Sequence, residues 1–298
     1  MFGTSEFAVP TLEAAADRYD VVGVVTQPDR PAGRGHKLVA TPVKRAALAR
    51  ALPVFEPERL RPFVEELRAL GADVFVVASY GKIVPQALLD LVPIAFNVHP
   101  SLLPLYRGAT PLQSAIRDGR EETGVTIIAM DAGMDTGDVL LQERTPLGPE
   151  ETYGELHDRL AERGAALLVD ALARREAGTL ARTPQREIAR EHGIDEAQIA
   201  ACATRPLRKD DLVVDWEREP KRIVDLVRSL APAPAARATV DGETVKLLAA
   251  RLAAPGEAEG SVTSDEGFVH RGVALLRVVP PNRAAMSAAA WRRTAVRA

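Results

Sequence analysis

Between residues 21 and 142, five short apolar runs rich in β-branched residues (21–26, 74–78, 94–98, 125–130 and 139–142) alternate with helical patterns at 8–16, 42–51, 58–70, 85–91 and 111–117. A strand that is apolar on both faces must be covered on both faces, and the intervening helices supply that cover. The alternation predicts an α/β domain built on a doubly wound, Rossmann-like parallel sheet. A longer helix is expected over 153–176, opened by Glu150-Glu151-Thr152, the acidic and hydroxyl side chains that helix N-termini favour. A doubly wound sheet also wants a strand before the Gly3-Thr4 turn, yet only Met1 and Phe2 precede it. Either that strand is nearly absent, or the true start lies several residues upstream.

The pattern changes after a polar stretch, 178–209, that is broken by Pro184 and Pro206. Residues 220–230 read as a helix, and 238–250, 260–263, 267–270 and 273–279 as short strands separated by Gly, Asp and Pro. Short strands with this punctuation predict a small β-barrel or sandwich. The expected organisation is a catalytic domain over 1–184, a connector over 185–206 and a C-terminal domain over 207–298.

Composition narrows the class. The chain has 298 residues, 46% hydrophobic and 27% charged, enough apolar material for a sizeable core. No run approaches the ~18 apolar residues of a membrane span, and the N-terminus lacks the basic-then-apolar order of a signal peptide. The single Cys202 excludes an internal disulfide framework and a zinc ribbon. These features predict a cytoplasmic protein that needs no metal. Net charge is −3, but from Arg205 onward 16 Lys and Arg stand against 12 Asp and Glu, a basic tail that hints at a polyanionic partner.

Three stretches carry candidate chemistry. In Asn97-Val98-His99 the two polar residues are two apart on an expected strand, so their side chains share a face, at the C-terminal end where open parallel sheets bind ligands. Asn can donate to a developing oxyanion, and His can give or take a proton near neutral pH. The loop Asp131-Ala-Gly-Met-Asp135-Thr-Gly-Asp138 gathers three carboxylates, one of which could orient His99; turn chemistry alone would also explain it. The loop Gln27-Pro-Asp-Arg30-Pro-Ala-Gly-Arg34-Gly-His36-Lys37 places four basic side chains on a Pro- and Gly-rich backbone suited to phosphate contact. Its glycines do not complete the dinucleotide fingerprint, and no Walker motif occurs, so nicotinamide and ATP chemistry lose support. His157, His192 and His270 read as surface or core-flanking residues, and Trp216 and Trp291 as packing anchors.

Together these motifs resemble the folate-dependent formyltransferases. The resemblance rests on Asn97-x-His99-x-Ser101-Leu102-Leu103-Pro104-x-x-Arg107-Gly108 and on Asp135-Thr136-Gly137-Asp138, 38 residues after Asn97. Gly3–Ala8 and Ser79-Tyr80-Gly81-Lys82-Ile83 are similar too, and the 27–35 loop and appended β domain resemble the methionyl-tRNA-formylating branch. The resemblance implies formyl transfer from 10-formyltetrahydrofolate to the α-amino group of initiator methionyl-tRNA. It implies catalysis by Asn97, His99 and Asp135, a folate site at Ser101, Leu102, Leu103 and Pro104, and contact of Arg30, Arg34, His36 and Lys37 with the tRNA acceptor end. It further implies that the C-terminal domain is an OB-like β-barrel that holds the inner face of the tRNA arm; a monomer is expected. A formyltransferase acting on a small amine, such as a nucleotide or nucleotide sugar, is the main alternative; a non-catalytic tRNA- or folate-binding module is the other.

Overall fold

The main sheet has seven strands in a computed structural model that describes residues 1–32 and 37–295. In chain order the strands of the first half are β1 (Phe2–Gly3), β2 (Val24–Val25), β3 (Arg30–Ala32), β4 (Lys37–Val39), β5 (Val54–Phe55), β6 (Phe75–Ala78), β7 (Ala95–His99), β8 (Glu122–Ala129) and β9 (Val139–Pro146). The sheet order is β5-β2-β1-β6-β7-β8-β9, and β3 and β4 form a separate hairpin. The pairs from β5 to β7 are parallel, as the sequence pattern predicts. The β7–β8 pair is antiparallel, with His99 opposite Thr126 and Phe96 opposite Ala129. The sheet is therefore mixed at one edge, a reversal that apolar runs cannot reveal because they carry no strand direction.

The first strand is present as two residues in the interior of the sheet, between β2 and β6. Phe2 pairs with Val25 on one side and Val77 on the other. Met1 donates its backbone nitrogen to Gly23 at 2.7 Å and accepts from Val25 at 2.7 Å. The Phe2 ring meets Phe75 and Tyr80 edge-on, with centroids 5.2 and 5.6 Å apart.

The helices are α1 (Val9–Ala16), α2 (Pro42–Ala49), α3 (Val64–Ala69), α4 (Gln86–Leu89), α5 (Pro111–Arg117), α6 (Tyr153–Glu176), α7 (Gln185–Glu191), α8 (Glu196–Ala201), α9 (Pro220–Leu230) and α10 (Ala288–Ala295). Thr152 and Glu155 cap the start of α6 reciprocally, each side chain reaching the other's backbone nitrogen. On α6, Leu160, Leu168 and Ala171 are fully buried. Gly164 lies on the same helix, where a Cβ would come within 2.7 Å of Val98 Cγ1. Glycine thus lets α6 approach β7 on the face that bears Val98. The opposite face of β7 bears Asn97 and His99.

Two compact units divide the chain. One comprises 1–109, 123–145 and 157–204; the other comprises 110–122, 146–156 and 205–298. The second is built on β10 (Ala236–Val240), β11 (Glu243–Leu252), β12 (Phe268–His270), β13 (Val273–Val279) and β14 (Met286–Ser287), antiparallel throughout. Its core gathers Ile223, Val227 and Leu230 of α9 with Val245, Leu247, Val273, Leu275, Val278 and Trp291. In the order β10-β11-β13-β12, with β14 beside β13, this antiparallel sheet is the small β domain that the short strands predict.

Where one strand is expected over 238–250, the chain makes a hairpin turning at Asp241-Gly242, both with positive φ (49° and 85°). That is the Asp-Gly turn that antiparallel hairpins favour. Residues 260–263 form no strand, only the bridge Val262–Phe268. The stretch expected as a connector folds into α7 and α8, and Ile188 of α7 packs against Leu103, Ile128 and Val139 of the first unit.

Candidate active site

The site grows from β7 and from the loop that joins β8 to β9. Asn97 and His99 are 9% and 4% exposed, on the face away from α6. Because β8 runs antiparallel to β7, the 130–138 loop leaves the sheet beside the start of β7 and must fold back over this face. Ala129 and Asp138 close its base, nitrogen to oxygen, at 2.9 Å. Asp131 orders its turn by accepting from the Gly133 nitrogen at 3.0 Å and the Thr136 hydroxyl at 2.7 Å.

Asp135 is the carboxylate that reaches the strand. Its Oδ1 accepts from Asn97 Nδ2 at 3.1 Å, and its Oδ2 accepts from the Gly108 backbone nitrogen at 2.9 Å. The same Oδ2 stands 3.6 Å from His99 Nδ1, close enough for charge to act and too far for a direct hydrogen bond. His99 Nε2 lies 3.0 Å from the carbonyl of Tyr106; a carbonyl only accepts, so Nε2 carries the hydrogen and Nδ1 faces the carboxylate. Asp135 thus braces Asn97 and Gly108 directly and His99 across a short gap. Gly108 is required there: its φ is +107°, and a Cβ would fall 2.1 Å from the Thr204 carbonyl oxygen.

Ser101, Leu102, Leu103 and Pro104 form the turn after β7. The Ser101 hydroxyl is buried and donates to the Leu105 carbonyl at 2.8 Å. Thr126 donates to the Ser101 carbonyl at 2.6 Å, and Gln142 donates to the Leu103 carbonyl at 3.0 Å. Leu103 and Pro104 are buried, which leaves Leu102 as the partly exposed member of the four. Arg30 is exposed on β3 and donates to Gln27 Oε1 at 2.7 Å, while Lys37 begins β4. Arg34 and His36 lie outside the described residues.

The residues set aside in the sequence keep structural partners. His157 meets Phe7 edge-on at 5.5 Å, His270 meets Trp216 edge-on at 4.6 Å, and Trp291 is buried with its Nε1 donating to Glu243. The sequence motifs leave out Gln185, which is 4% exposed and bonded to the Asp135 loop, and Thr204, whose nitrogen donates to the Arg107 carbonyl at 2.8 Å. Neither position carries a motif; a Gln after Pro184 is an ordinary helix start. A cavity of about 370 Å³, lined by Met1, Phe2, Tyr19, Gly23, Val74 and Phe75 among others, contains none of the candidate site residues.

A mixed, mostly parallel sheet whose Asn97–His99 strand is met by Asp135 from the β8–β9 loop, followed by an antiparallel domain, fits an acyl-transfer class of enzyme more closely than any one motif does. Residues 1–172 match the formyl transferase family, and residues 206–295 match the formyl transferase C-terminal domain. The methionyl-tRNA formyltransferase of Pelobacter propionicus is 44% identical over 269 residues, which cover 89% of this chain and 81% of that protein. That of Symbiobacterium thermophilum is also 44% identical, over 94% of this chain and 86% of its own. Among solved structures, the sugar 3N-formyl transferase WlaRD, crystallised with dTDP and 5-N-formyl-THF, superposes with a TM-score of 0.65 at 16% identity, covering 95% of this chain and 97% of that one. The chain belongs to the formyl transferase family.

Proposed function

We propose that the chain transfers the formyl group of 10-formyltetrahydrofolate to the α-amino group of methionine carried on initiator tRNA, the step that prepares N-formylmethionyl-tRNA for translation initiation. The observation that carries this reading is the convergence of Asn97, Gly108 and His99 on one carboxylate, Asp135. Relatives named for the reaction on methionyl-tRNA support the choice of substrate.

The folate supplies an activated formyl carbon, and the chain's own residues do the rest. The amide of Asn97 has two hydrogens and gives one to Asp135, so the second serves the formyl oxygen as that oxygen gains negative charge. His99, its ring fixed through Nε2 by the Tyr106 carbonyl and facing Asp135 through Nδ1, stabilises the same oxygen in its imidazolium form. Asp135 accepts the proton that the attacking amine sheds as its nitrogen bonds the formyl carbon, and that proton passes to the tetrahydrofolate N10 as the carbon–N10 bond breaks; the carboxylate oxygens keep lone pairs beyond those given to Asn97 and Gly108. Ser101, Leu102, Leu103 and Pro104 shape the folate side of the site as an internally tied turn. Arg30, Arg34, His36 and Lys37 meet the acceptor end of the tRNA, and residues 207–298 hold its arm. The enzyme acts as a monomer in the cytoplasm.

The decisive experiment is single-turnover formylation with 10-formyltetrahydrofolate, comparing initiator methionyl-tRNA with free methionine and an amino nucleotide sugar, for wild type and His99→Ala. Rapid transfer to the tRNA alone, lost in the variant, is expected. Transfer only to the small amines would replace the tRNA reading with the small-amine one, and binding without turnover would point to a non-catalytic module.

A further inference from the structure

Gln185 opens α7 in a stretch that carries no motif, yet it is more completely engaged than any candidate residue. Its Oε1 accepts from Arg107 Nε at 3.0 Å and from Arg107 Nη2 at 2.7 Å. Its Nε2 donates to the carbonyls of Asp135 and Gly137, both at 2.8 Å. Two donors and two lone pairs are the whole capacity of an amide, and all four are used. The orientation admits no alternative: a guanidinium only donates and carbonyls only accept, so a turned amide would oppose like to like on both sides.

The neighbouring backbone extends the grip. Thr183 and Val139 exchange both backbone hydrogen bonds at 2.9 Å, so the segment 183–185 holds the loop at 135, 137 and 139. The loop needs holding, because Asp135 has φ +55°, a left-handed conformation that a side-chain-bearing residue keeps when its surroundings impose it. A closed ring results. Arg107 reaches the Asp135 carbonyl through Gln185, and the next residue, Gly108, binds the Asp135 carboxylate from the other side.

We propose that Gln185 is a positioning residue for formyl transfer: by tying the Asp135 and Gly137 carbonyls to Arg107, it sets where the Asp135 carboxylate stands against Asn97 and His99. The inference rests on the reading of Asp135 as the proton acceptor. A misplacement of about 1 Å costs on the order of 100-fold in rate.

The test uses the full chain and four variants, assayed well below their melting temperatures for kcat and for KM of each substrate. Gln185→Glu keeps the acceptor toward Arg107 and sets a carboxylate against the two carbonyls; Gln185→Met removes both halves at similar volume. Both are expected to lower kcat on the order of 100-fold, with either KM within about threefold of wild type. In an Asp135→Asn background, Gln185→Met should cost less than about threefold, because the group it positions is gone; a merely structural role would cost the same in both backgrounds. If Gln185→Met does not fold, Gln185→Glu carries the test alone. A kcat within about threefold in Gln185→Glu, or an undiminished effect in the Asp135→Asn background, would overturn the proposal. Asp135→Asn at wild-type rate would instead overturn the reading of Asp135 and leave the geometry of Gln185 without a catalytic consequence.

Discussion

Asp135 divides its carboxylate between a side-chain amide and a backbone nitrogen, and the oxyanion role proposed for Asn97 depends on that division. Removing an oxyanion donor costs about 100- to 1000-fold in turnover, so Asn97→Ala should lower kcat by that range with little change in melting temperature, as steady-state formylation and thermal denaturation would show. Tyr80 presents the opposite case. Its hydroxyl is buried with no hydrogen-bond partner among the described residues, and burial raises its pKa to about 12. Tyr80→Phe removes a desolvated polar atom and should leave the melting temperature unchanged or raised; a clear drop would mean the hydroxyl has a partner in solution. In the second unit, Arg251 holds both Glu257 and Asp265, chiefly by hydrogen bonds, and Asp265 is lowered to about 2. Its folded pKa lies below the ordinary 3.8, so the pair stabilises the fold fully above that value and less as pH falls through about 2. Carboxyl NMR titration should find Asp265 near 2 in wild type and clearly higher in Arg251→Met, where the Thr263 hydroxyl remains its donor. At this scale the sequence was legible in part. Asn97 and His99 are readable because a strand has period two; Asp135 is distinguished from Asp131 and Asp138 only by family likeness; Gln185 is unreadable, since what matters is which backbone carbonyls it meets.

Whole elements divide by what makes them form. α5, α6 and α9 fall where the sequence places them, because each carries its own signal: Pro111 and Pro220 open two of them, and the Thr152–Glu155 pair opens the third. The two-residue strands β1, β2 and β5 have no such local cause and exist only through their neighbours in the sheet. α7 and α8 were hidden by their polar composition, although Asp195 and Gln198 form a capping box that announces α8. α9 has a second function within its unit. The buried guanidinium of Arg228 binds Asp225 at 2.8 Å and donates to the carbonyls of Gly148, Glu151 and Ile116 at 3.2 to 3.4 Å, joining α9 to the end of α5 and to the approach to α6. Among the described residues, Arg228→Met would leave Asp225, nearly fully buried, with the half-exposed Lys221 as its one cationic partner. A loss of about 3 kcal/mol in urea unfolding is expected, much of it recovered when Asp225→Leu is added.

For the molecule as a whole, the order of segments matters as much as their packing. The second unit takes 110–122 and 146–156 from the first half of the sequence, so the chain passes between the units five times. Residues 205–298 expressed alone would lack α5 and the carbonyls that Arg228 binds, and should give poorly dispersed NMR spectra; a chain that also carries 110–156 should not. The β8–β9 hairpin, with Asp135 at its tip, is flanked on both sides by segments of the second unit. If the second unit melts, the hairpin loses its tethers at both ends, and the cost of closing that loop rises. Heat should therefore inactivate and unfold the protein in one cooperative transition, with equal calorimetric and van't Hoff enthalpies. The same interlacing makes the backbone tolerant of scission: a protease nick at the exposed Gly193 would yield two pieces that copurify until denaturant is added, because each piece holds part of what the other needs to fold.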